Sequence, residues 1–138
     1  MFDICLVVTP GMHWEQQWSY LLSHFAPRQL YTIGKLDSRV RPFTDHITVK
    51  SAEELPSPLV VMTPKSARYV PGQICLTNFN HPKECCYLFG ADNTHLSEDH
   101  LGKRQPDHSV FIPTETSDTM YSFIAGAITL WDRWMHDG

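Results

Sequence analysis

No apolar run in this 138-residue chain approaches the ~20 residues that a membrane-spanning helix needs. The first residues also lack the basic start and cleavage pattern of a secretory leader. A cytoplasmic protein is expected, with no membrane partner. Cysteine is sparse, and Cys5, Cys75, Cys85 and Cys86 show no Cys-x-x-Cys spacing. Three of them sit in apolar, strand-like contexts, so reduced buried thiols are expected rather than disulfides or zinc ligands. There is no Gly-x-Gly-x-x-Gly, no Walker motif, no Gly-x-Ser-x-Gly and no His-Glu-x-x-His. The common nucleotide, hydrolase and zinc-protease signatures are thereby excluded. Basic charge is short too: 11 Lys and Arg against 15 Asp and Glu leave a net charge of −4. Nucleic acid would have to be held by a local patch, because no global positive field is available.

What is present describes an ordinary folded domain. Hydrophobic residues make up 42% of the chain and charged residues 19%, enough for one substantial core. No internal repeat, low-complexity tract or linker interrupts it, so residues 1–138 are read as a single domain. Asp3–Thr9 reads as a buried parallel strand closed by Pro10-Gly11. Trp14, Trp18, Leu21, Leu22 and Phe25 mark one face of a helix that Pro27 stops. Gln29–Ile33 and Leu59–Met62 are further strands, and Ile47–Val49 is a minor one. Glu53–Pro58 reads as a charged turn, and Ser66–Glu84 shows only turn signals. The polar segment Lys35–His46, with Lys35, Arg39 and Arg41, admits two readings, a phosphate contact or a solvated loop.

The informative stretch is the last third. Tyr87–Phe89 breaks at Gly90, which permits close backbone approach, and Val110–Ile112 breaks at Pro113, which cannot donate to a ladder. Parallel strand ends flanked by loops make the crevice where open α/β sheets bind ligands. A long helix over Asp118–Met135 follows. Met120, Phe123, Ile124, Ala127, Ile128, Trp131, Trp134 and Met135 form its apolar face, and Ser122, Ala125, Gly126 and Thr129 a second strip of small residues. Ser117 or Asp118 is the expected N-cap. His95, Glu98, Asp99 and His100 cluster without zinc spacing, and read as a polar loop opening a helix. The remaining histidines are scattered and suggest no metal site.

This order of features resembles the SPOUT superfamily of knotted methyltransferases, in particular its SpoU-like RNA ribose 2′-O-methyltransferases. The family pattern is Phe-Gly-x-Glu-x-x-Gly-Leu, then Ile-Pro, then Ser-Leu/Met-Asn-Leu/Val-Ser opening the last helix. Phe89, Gly90, Leu96, Ile112, Pro113 and Thr119-Met120 match it. Asp92 stands for the Glu, His95 for the second Gly, Tyr121 for the Asn and Phe123 for the second Ser. An Arg in the first helix that the family uses at the ribose hydroxyl falls on Leu21, and Thr9 to Pro27 holds no Lys or Arg.

The resemblance implies an α/β fold with a mostly parallel sheet, helices on both faces and a C-terminal trefoil knot. It implies a homodimer packed through the first and last helices, with Trp14, Trp18, Trp131 and Trp134 at the interface. It further implies S-adenosylmethionine held by Thr63, Phe89, Gly90, Ala91, Asp92, Leu96, Phe111, Ile112, Pro113, Thr119, Met120 and Tyr121. RNA would be met by Lys35, Arg39 and Arg41. No residue is assigned as catalytic. Two functions remain open: an RNA methyltransferase with a rebuilt acceptor site, and a SPOUT-fold binding or interaction module that transfers no methyl group.

Overall fold

A computed structural model describes residues 1–8, 14–34, 45–63, 72–90, 98–115 and 120–137. Seven strands, β1 (Phe2–Val7), β2 (Gln29–Ile33), β3 (Ile47–Val49), β4 (Leu59–Met62), β5 (Ile74–Cys75), β6 (Cys85–Phe89) and β7 (His108–Phe111), form one sheet in the order β3-β2-β1-β6-β4-β7-β5. Every pairing is parallel. Three helices accompany it: α1 (Trp14–Leu22), α2 (Glu98–Leu101) and α3 (Ser122–Asp137). β6 lies between β1 and β4, and β7 between β4 and β5, so both late strands enter slots left by earlier ones.

Because both faces of the sheet are covered, β4 and β6 are almost wholly apolar, and β1 departs from this only at Asp3, which Arg28 pairs at 2.8 Å. Alternate residues sort to opposite sides. Ile4, Leu6, Val60, Met62, Tyr87, Phe89 and Val110 meet Trp18, Leu21 and Leu22 of α1 and Leu130 of α3. Cys5, Val7, Leu59, Val61, Cys86 and Leu88 meet Ala52, Leu55 and Leu101 on the other side. All four cysteines are free, with Cys5, Cys85 and Cys86 buried. Burial pushes the Cys5 and Cys86 thiols far up, so both stay protonated.

The expected strands occur, with shifts at their ends. β6 begins two residues before Tyr87, and β7 begins at His108 and ends at Phe111, one residue short of Ile112. The first strand ends at Val7 rather than Thr9. Three elements fall where only turns were expected: a 3-10 helix at Ala52–Glu54, capped by the Ser51 hydroxyl, the two-residue β5, and a 3-10 turn at Leu76–Asn78. The C-terminal helix begins at Ser122, not Asp118. The Tyr121 carbonyl accepts the first helical bonds, from the N–H groups of Ile124 and Ala125. Met120 and Tyr121 thus precede the helix, while Ser117 and Asp118 lie outside the described residues.

Within the chain, α3 buries the strip of small residues, as a strip that admits close approach should, and leaves its large apolar face uncovered. Ser122, Gly126, Thr129, Leu130 and Arg133 turn inward, whereas Ile124, Ile128, Trp131, Trp134 and Met135 are exposed. The reason is Trp18. Its indole lies 1% exposed between α3 and β6, tilts against the Phe89 ring at 5.2 Å between centroids, and donates from Nε1 to Ser122 Oγ at 3.3 Å. A Cβ on Gly126 would stand 2.4 Å from the ring, so only glycine lets α3 approach. Trp18 is therefore core, correcting its expected place on an exposed patch. Trp14's side chain lies outside the described residues.

Candidate functional site at the carboxyl edge of the sheet

Strand register brings the sequence-selected positions level. Met62 pairs with both Phe89 and Val110, and the Thr63 N–H donates to the Val110 carbonyl at 2.9 Å. Thr63, Gly90 and Phe111 consequently end three adjacent strands side by side. Thr63 is buried, and its Oγ1 accepts from Gln73 Nε2 at 2.6 Å, which holds the residue after β4 against the loop that leads to β5. Trp18 links Phe89 to Ser122, so the first turn of α3, preceded by Met120 and Tyr121, is set against the same end of β6.

Each residue offers something different. The Phe89 ring is buried against Trp18, leaving its backbone at the edge. Phe111, Ile112 and Met120 are half-buried, and Pro113 and Tyr121 are exposed. None of these side chains carries a charge, and the register leaves backbone groups of three strand ends at this edge. An edge without cationic side chains among its described residues does not oppose a sulfonium such as that of S-adenosylmethionine. Ala91, Asp92, Leu96 and Thr119 lie outside the described residues, as do Lys35, Arg39 and Arg41. Leu21, at the position of the family Arg, is packed in the core under α1 and 8% exposed.

A second polar group, not anticipated from sequence, occupies the opposite edge. Arg133 is buried and donates to the Pro82 and Lys83 carbonyls, both at 2.7 Å, and to Tyr87 Oη at 3.0 Å. Its guanidinium lies 5.2 Å from the Phe2 ring centroid. His81 touches Tyr87 Oη through Nδ1 at 2.7 Å and Asp132 Oδ2 through Nε2 at 2.6 Å. Burial lowers the His81 pKa, against the pull of Asp132. The only sequence signal was the i, i+4 spacing of Asp132 and His136; His81 is 51 residues away from Asp132.

No family model matches the sequence, and no curated relative does. Solved structures do match in fold. An AdoMet-bound rRNA methyltransferase from Sinorhizobium meliloti aligns over 98% of this chain and 56% of its own, at TM-score 0.72 and 12% identity. The SpoU methyltransferase AviRb from Streptomyces viridochromogenes aligns over 96% and 58%, at 0.72 and 13%. TrmJ from Z. mobilis aligns over 96% and 68%, at 0.74 and 11%. The chain spans less than two thirds of the length of the first two. No described helix is long and apolar enough to cross a membrane. Nearly all of this chain is similar in fold to SpoU-type RNA methyltransferases, with an all-parallel sheet and helices on both faces.

Proposed function

We propose that this chain is a cytoplasmic S-adenosylmethionine-dependent methyltransferase acting on tRNA or rRNA. The observation that carries the reading is the alignment of Thr63, Gly90 and Phe111 at the carboxyl edge, within a fold similar to methyltransferases, one of them described as AdoMet-bound. Thr63, Phe89–Asp92, Leu96, Phe111–Pro113 and Thr119–Tyr121 would hold the cofactor, mainly through backbone, and Lys35, Arg39 and Arg41 would meet RNA phosphates. When bound, the cofactor supplies an electrophilic methyl on its sulfonium; the protein's part is to orient it and shield it from water. A trefoil knot, with the last helix threaded through the loops after Met62 and Phe89, is part of the proposal, and the insertion of β6 and β7 between earlier strands supports it. The exposed apolar face of α3 supports a homodimer.

Calorimetry with S-adenosylmethionine and S-adenosylhomocysteine tests the reading. Binding of either is expected, and its loss in Gly90→Leu with the sheet intact by circular dichroism. Lack of affinity for both ligands would refute it. A second reading, a non-catalytic SPOUT-fold module, is favoured by one observation: the family's ribose-contacting Arg is replaced by buried Leu21. Cofactor binding without methylation of any RNA pool would select that second reading.

A further inference from the structure

We propose that His81, Asp132 and His136 form a binding site for a divalent transition metal, and that zinc is the ion their chemistry suits. One ligand atom from each lies within 4.8 Å of the others. His81 Nε2 is 2.6 Å and His136 Nδ1 3.5 Å from Asp132 Oδ2. Ligand atoms about 2.0–2.1 Å from a tetrahedral zinc lie roughly 3.3 Å apart, so the His81–Asp132 contact opens by about 0.7 Å and the His136–Asp132 contact hardly moves. The two imidazole nitrogens, now within 4.8 Å, must reach the same spacing. Two imidazoles and a carboxylate match the donor preference of zinc, and three protein ligands leave a fourth place for water.

Without metal the three side chains form a hydrogen-bond chain in which His136 Nδ1 also donates to the Asp132 carbonyl at 2.8 Å, a bond that ligation would exchange for the ion. His81 is held from behind: its side chain is 2% exposed and its Nδ1 meets Tyr87 Oη at 2.7 Å. Ligating histidines are commonly fixed in this way through the second ring nitrogen. Arg133 donates to Tyr87 Oη, so without metal the phenol O–H points to His81 Nδ1 and His81 Nε2–H donates to Asp132. Metal capture requires a bare Nε2. The ring proton then resides on Nδ1 and donates to Tyr87 Oη, whose O–H rotates away from the imidazole. Tyr87 Oη can therefore partner either tautomer. Asp132 and His136 stand one helical turn apart near the end of α3, and His81 lies in the segment entering β6. The ion would pin the end of α3 to the amino edge of the sheet, and this inference does not depend on the methyltransferase reading.

The test uses the untagged full chain, treated with chelator and titrated with zinc chloride alone. One ion per chain is expected, together with a raised melting temperature. Affinity should fall at least a hundredfold in both His136→Ala, which removes a largely exposed side chain, and Asp132→Asn, which keeps the shape. Tyr87→Phe should weaken binding about tenfold, as loss of an outer-shell partner does. Bound cobalt should give tetrahedral visible bands without thiolate charge transfer. Absence of binding, wild-type affinity in either ligand variant, or a thiolate band showing capture by cysteine would each overturn the proposal.

Discussion

Replacing Gly126 by alanine sets helix propensity against close packing, and the structure decides the sign. In an exposed helix the change would stabilise by about 0.8–1.0 kcal/mol. Here the new methyl would sit 2.4 Å from Cη2 and 2.9 Å from Cζ3 of Trp18. That indole has little room to move, since it is fully buried, tilted against Phe89 and bonded to Ser122. Overpacking of this kind costs about 1–3 kcal/mol, and displacing the indole weakens a buried hydrogen bond worth about 1 kcal/mol. The net expectation is a loss of roughly 1–3 kcal/mol by these figures. Urea unfolding followed by far-UV circular dichroism measures it. A double-mutant cycle with Trp18→Leu isolates the cause: once the ring is gone, Gly126→Ala should become neutral or stabilising. A single Gly126→Ala variant as stable as the parent would refute the packing argument, because propensity alone would then describe the site.

Three further outcomes are expected. Trp131→Glu with Ile128→Lys should convert a two-fold dimer to monomer in light scattering while leaving the fold intact; a parent that is monomeric at micromolar concentration would dispose of the interface. Arg133→Ala should destabilise by about 3 kcal/mol, the scale for losing hydrogen bonds from a charged group at a buried site. Arg133→Lys should recover only part in thermal melts, because one ammonium cannot span the Pro82 and Lys83 carbonyls and Tyr87 Oη as a guanidinium fork does. In native protein, alkylation followed by mass spectrometry should label Cys75 alone, with Cys5, Cys85 and Cys86 reacting only after denaturation. Rapid native labelling of Cys86 would contradict its burial and raised pKa.

The strands of the central sheet were legible because burial on both faces leaves unbroken apolar runs such as Leu59–Met62. β5 was not, since two residues carry no period and Ile74 pairs only through tertiary context. α3 was legible as a helix, and its strip of small residues marked the face that closes on Trp18 beside Gly126. Periodicity alone could not rank the two faces, because it favours large apolar side chains such as Ile128 and Trp131, which no other part of the described chain covers. The helix start was misplaced for a related reason: Ser117 and Asp118 are good caps by type, and only the chain's path determines which carbonyl begins the ladder. At the carboxyl edge, the break residues Gly90 and Pro113 marked the strand ends to within a few positions. The histidine–aspartate group was invisible because its members come together only when α3 crosses β6.

The sheet ends in its shortest strands, with three residues in β3 on one side and two in β5 on the other. Such stubs offer an incoming strand very few unpaired backbone groups, and two-residue pairing is too weak to seed growth. Among the described residues, both flanks therefore offer little template for lateral propagation in the plane of the sheet, the route to fibrous aggregation. A molecule blunted in this way can show an apolar helix face to a second copy without also inviting endless addition, so contact through that face would close on itself rather than polymerise.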